Sequence, residues 1–170
     1  MDWILISLAS ALAGFVDAIV GGGGLILVPA MFAAFPTTTP ATLFGTNKSA
    51  AVWGTAISAW QFSRRVQITW ATLLPAIGTT LVGAFLGAWA VTQISPDFLR
   101  KLLPFILLGV LLYTLSKKEL GRDHTPHLAG RAEMLTASTI GLLIGFYDGF
   151  FGPGTGSFFV FLFVRLLGYD

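Results

Sequence analysis

Apolar positions in this chain come in long runs, and polar positions gather in the short gaps between them. Residues 3–20 are apolar and nearly long enough to span a bilayer at about 1.5 Å per residue. Four glycines, Gly21, Gly22, Gly23 and Gly24, interrupt that run, and residues 25–35 continue it for about half a span. A glycine run has poor helix propensity and no side chains to shield its backbone. Non-helical backbone at membrane depth survives only where protein or a wet cavity surrounds it. Residues 3–35 are therefore expected to form a broken helix or a helical hairpin, with the glycines at the break.

The same alternation continues. Pro36 to Pro40 reads as a turn, and residues 41–62 as a crossing that carries Asn47 and Lys48 in its first third. Ser63-Arg64-Arg65 makes a basic end. Residues 70–94 form another crossing, with tryptophans at 70 and 89 and a proline at 75. Ser95-Pro96-Asp97 has the form of an N-cap with proline in the first turn, and opens a helix over 97–116. Residues 117–133 are the sustained polar segment. After it come an apolar helix over 134–151, a second glycine break over 152–156, and a short half-span over 157–167.

Composition narrows the class. Of 170 residues, 55% are hydrophobic and 11% are charged, too few charges to cover a soluble globule, which typically carries about 25%. The chain belongs with membrane proteins, and the lipid bilayer is its first partner. The net charge of +2 is small and the basic residues sit at segment ends, which argues against a nucleic-acid partner. The absence of cysteine removes disulfides, thiolate metal sites and cysteine nucleophiles. Ala11-Leu12-Ala13 resembles a signal-peptide cleavage site, but Met1-Asp2 is not a basic leader, so the first segment is read as retained.

The chain contains a repeat. Residues 14–29 read GFVDAIVGGGGLILVP, and residues 145–158 read GFYDGFFGPGTGSF. A shift of 131 places Gly14 on Gly145, Asp17 on Asp148, Gly21 on Gly152 and Gly23 on Gly154. The division is a first repeat over 1–116, a polar loop over 117–133 and the start of a second repeat over 134–170. The basic loops at 61–69 and 117–133 are separated by two crossings and fall on one side. Three crossings separate the glycine segments, so if each glycine segment returns to its own side, the repeats have opposite orientation, as in many transporters. The expected fold is all-α: a polytopic transmembrane bundle of two inverted repeats with glycine-broken helices, the second repeat truncated. Asp170 falls opposite Thr39, and completing the unit would take about 77 more residues, for a chain near ~250.

The candidate chemistry lies at the breaks. A half-helix that starts after a break presents free N–H groups and a positive dipole end, which together bind an anion. Gly21, Gly22, Gly23, Gly24, Gly152, Gly154 and Gly156 would let a small anion approach the backbone, with Thr46, Asn47 and Lys48 as side-chain ligands. Lys48 lies in apolar sequence, and its stem could equally reach an interface; Asp17 is an available ion-pair partner. Asp17 and Asp148 are carboxylates in membrane helices, read either as proton carriers or as structural caps. Small residues at four-residue spacing, Gly141, Gly145 and Gly149 with their repeat mates Ser10, Gly14 and Ala18, and also Gly83 and Gly87, are read as sites of close helix packing. Nothing resembles a catalytic set or a nucleophile elbow, so an enzyme is not expected, and no cofactor or metal is implied; His124 and His127 lack ligand-spaced partners.

GFVDAIVGGGGLILVP, ATLFGTNKSAAVWGT, FSRRVQITW and GFYDGFFGPGTGSF together resemble the sulfite exporter TauE/SafE family of bacterial membrane proteins. The resemblance covers nearly the whole chain. It implies a multi-pass, all-helical protein of the bacterial inner membrane, built from two related halves. It also implies export of sulfite, sulfonates or related organosulfur anions. An anion channel, or a non-transporting assembly or sensor subunit, remains open beside a carrier working by alternating access, as does a homo-oligomer.

Overall fold

The computed structural model describes residues 2–20, 22–116 and 128–168; Gly21 and most of the polar loop lie outside them. The described residues are helical, without strands. The helices are α1 Asp2–Val20, α2 Gly24–Ala34, α3 Pro40–Ser63, α4 Trp70–Thr92, α5 Pro96–Ser116, α6 Gly130–Phe150 and α7 Thr155–Leu162. A π-helical turn, Phe163–Leu167, extends α7. Helix α6 starts at Gly130, four residues before the expected Met134, because Arg131 to Glu133 form a polar first turn that precedes its apolar body.

Both glycine breaks are hairpin tips. Trp3, at the start of α1, packs edge-on against Phe35, just past the end of α2, with ring centroids 5.8 Å apart. α2 therefore folds back along α1. In the second copy, Leu167 joins Ala137 and Ile140 in one apolar cluster, so the end of α7 returns beside the first half of α6.

The tightest packing joins α4 to α6, side by side and parallel. A Cβ on Gly83 would strike the carbonyl of Leu142, and one on Gly87 the carbonyl of Phe146. From the other side, Gly145 lies on the backbone of Thr80 and Gly149 on that of Ala84. A Cβ on Gly141 would come within 2.8 Å of the Ala76 carbonyl. The glycines thus let two backbones touch, as their spacing predicts. Hydroxyls add cross-helix bonds: Thr79 donates to the Ser138 carbonyl at 2.8 Å, and Thr72 to Glu133 Oε1 at 3.1 Å.

The Arg100 guanidinium donates to the Thr38 carbonyl and lies 5.2 Å over the Phe32 ring. It ties α5 to the turn before α3. The α1 start, the 36–40 turn and the α4–α5 turn therefore share one end of the bundle.

Large apolar side chains cover the outside. Trp53, Phe85 and Phe105 are each more than 70% exposed, which water would penalise and lipid would not. Among the described residues, α4 is the one helix both long and apolar enough to cross a membrane by composition alone. α3, α5 and α6 have crossing length, at 24, 21 and 21 residues, but are less apolar. In α3 the dilution comes from Thr, Asn, Lys and Ser near its middle, and in α5 from Asp97, Arg100 and Lys101.

Candidate functional site

The two tips meet on the first half of α3. Pro40 at the first helical position and the Thr39 hydroxyl, which accepts the Thr42 N–H, fix where α3 starts. Its next turns carry Phe44, Asn47 and Lys48 on to the tips. The Phe44 ring sits between Phe32 of α2, at 5.5 Å, and Phe151 of the second tip, at 5.4 Å. Val28, Val91, Leu99 and Leu103 complete this buried cluster.

Each tip is stitched by its own aspartate. Asp17 Oδ1 accepts the Gly23 N–H at 2.7 Å, so one amide of the first tip is already bonded. Asp148 Oδ1 lies 2.8 Å from the Thr155 hydroxyl, which also lies 2.6 Å from the Gly152 carbonyl. That hydroxyl has one proton for two acceptors. The Tyr147 hydroxyl donates to the Pro153 carbonyl at 2.7 Å and braces the same tip. The tips turn through left-handed backbone that favours glycine, at Gly22 in the first and at Gly152 and Gly154 in the second.

The Lys48 ammonium lies 2.7 Å from Asp148 Oδ2, with both side chains about one third exposed. The expected partner, Asp17, is not the one used. α3 presents Lys48 to the second tip, while Asp17 is engaged with its own tip. A Cβ on Gly152 would sit 2.7 Å from Lys48 Nζ, so a side chain there would push the ammonium aside. Asn47 faces the first tip: a Cβ on Gly24 would be 3.6 Å from Asn47 Nδ2 and 3.6 Å from Pro153 Cα. Asn47, Lys48, Gly24, Gly152 and Asp148 are thus brought together.

Other expected ligands are not. The Thr46 hydroxyl donates to the Thr42 carbonyl of its own helix, and Gly156 is exposed. Gly22 and Gly154 shape the turns, and Gly21 lies outside the described residues, as do His124 and His127. Thr155 and Tyr147 were missed; a threonine opening the half-helix seven residues after an aspartate was the available signal. The arrangement offers an ammonium, an amide, a hydroxyl and two half-helix N-termini, and hence several donors for an oxyanion.

An apolar, all-helical shell with large hydrophobic side chains on its outside marks a membrane protein. The chain belongs to the sulfite exporter TauE/SafE family, whose model matches residues 6–170. It is 40% identical over 161 residues to "Probable membrane transporter protein ORF9" of Sinorhizobium sp, covering 95% of this chain and 60% of that protein. It is 39% identical over 160 residues to "Probable membrane transporter protein YfcA" of Escherichia coli K12, covering 94% of this chain and 58% of that protein. A "Probable membrane transporter protein" of Haemophilus influenzae is 36% identical over 162 residues, covering 93% and 60%. The chain therefore spans less than two thirds of the length of these relatives. No solved structure matches it.

Proposed function

We propose that this chain forms the larger part of a carrier for small sulfur-containing anions, crossing the bacterial inner membrane several times. The observation that carries the reading is the Lys48–Asp148 pair, 2.7 Å long and set where both hairpin tips meet. Lys48 belongs to the first repeat unit, 1–116, and Asp148 to the second, which begins at 134 after the polar loop. A movement of one unit against the other must therefore stretch or remake this contact, as alternating access requires. The inverted relation of the units is supported by α6 running parallel to α4 while each hairpin returns to its own end.

In this reading a sulfite-like anion takes the place of the Asp148 carboxylate on Lys48. Asn47 and Thr155 orient its oxygens, and the positive dipole ends of α2 and α7 face the same place. Exchange of one anionic partner for another keeps the ammonium paired throughout, which avoids an uncompensated charge in an otherwise apolar stretch. Asp148, released, can carry a proton; Asp17 acts as a cap.

The test is sulfite binding to the purified chain in detergent. Lys48→Ala should weaken binding by about tenfold or more, the loss of roughly 1.4 kcal/mol or more from one charge-assisted bond. Arg65→Ala, at the far end of α3, should leave it unchanged. Equal losses in the two variants would reject the site.

A further inference from the structure

We propose that the Ser10–Gly14–Ala18 face of α1 docks a second membrane helix of the α4 kind, the counterpart of α4 in the other repeat. Under the 131-residue shift these three residues are the mates of Gly141, Gly145 and Gly149. Those mates are buried on the backbone of α4, against Ala76, Thr80 and Ala84. On α1 the equivalent face is open. Ser10, Gly14 and Ala18 are exposed, and a Cβ on Gly14 would meet nothing within 4 Å. Around them Leu8, Phe15 and Ile19 are exposed as well. One surface is thus present twice and covered once.

The covered copy identifies the occupant. α6, the first helix of the second unit, packs on α4 of the first unit. A two-fold relation between the units then pairs α1 with an α4 counterpart of the other repeat. The longer relatives have room for such a helix, since 40% of the ORF9 protein lies outside its match to this chain. A second copy of this chain cannot supply the same contact through its own α4, because α6 already covers Gly83 and Gly87.

A peptide with the sequence of residues 70–92, α4 itself, stands in for the occupant as the probe. The chain has no cysteine, so A18C gives a single thiol. By analogy with Gly149 on Ala84, this thiol should meet A84C in the peptide. In vesicles holding both, mild oxidation is expected to give the chain–peptide disulfide. Gly14→Ile in the chain should cut its yield at least fivefold. Replacing Gly83 and Gly87 by Ile in the peptide alone should do the same while leaving the chain's own fold untouched. Failure to form the disulfide, its persistence in both variants, or a dominant chain–chain disulfide through A18C would overturn the proposal. It rests on the repeat and not on the anion reading, so sulfite binding at Lys48 can fail while this docking holds.

Discussion

The two hairpins carry the same motif in opposite circumstances. In α6 and α7 the small-residue face is pressed on α4, and the aspartate meets a lysine from α3. In α1 and α2 the small-residue face is open, and among the described residues the aspartate holds the Gly23 amide of its own tip. The shared feature, an aspartate stitching a glycine break, is therefore what the motif does by itself. The docking of the small-residue face and the ion pair come from α4 and Lys48, which the second hairpin meets and the first does not. The motif builds a tip, and its environment decides whether that tip becomes a site.

The strongest way to break the comparison is to fill the two faces. Gly145→Leu forces a side chain into the Thr80 backbone, and α4 and α6 must separate along much of their length. It should destabilise the chain by about 3 kcal/mol, the upper end for overpacking. Gly14→Leu enters open space and should stay within about 0.5 kcal/mol. Unfolding of both variants in detergent, followed by circular dichroism, measures the difference. Similar losses would mean that the α1 face is not open.

A smaller effect separates the two tips. Gly154 has φ of 81°, and a Cβ there would also strike Val110. Gly22 has φ of 96°, but its Cβ would meet only the flexible end of Leu25, at 3.4 Å. Gly154→Ala should therefore cost about 2 kcal/mol, strain and contact together, and Gly22→Ala about 1 kcal/mol from strain alone. The same melts read both, and an equal cost would remove Val110 from the account.

Much of this was legible beforehand. The glycine runs pointed to where α1 and α6 end, at Val20 and Phe150, although Gly24 and Gly156 lie within the helices that follow; Gly83, Gly87, Gly141, Gly145 and Gly149 marked the helix contact because only small residues let backbones touch. Lys48 stood out as a charge in apolar sequence. Its partner did not, because Asp17 and Asp148 occupy equivalent repeat positions and only the path of α3 past the second tip distinguishes them. The Arg100 contact was not legible, since a basic residue at a helix start says nothing of a carbonyl 62 residues earlier. The early start of α6 was hidden by a polar first turn that reads as loop.

The smallest effect bears most directly on function. Asn in place of either aspartate keeps an oxygen that can accept a hydrogen bond and removes the charge. At position 17 the Gly23 amide retains its acceptor, so Asp17→Asn should change stability by no more than about 0.5 kcal/mol. At position 148 the Thr155 contact also survives, but the pair with Lys48 is lost. That pair is one third exposed, and screening holds its worth to about 1 kcal/mol. The stability difference between the variants is therefore slight. Their anion binding should differ more clearly, because Asp148→Asn leaves the ammonium without its resident carboxylate. If sulfite competes with Asp148 for Lys48, removing a competitor worth about 1 kcal/mol tightens binding roughly fivefold. Asp17→Asn should leave it unchanged. Titration of the purified variants with sulfite reads this directly: weaker binding in Asp148→Asn would make the carboxylate part of the anion's shell, and no change would detach it from the site.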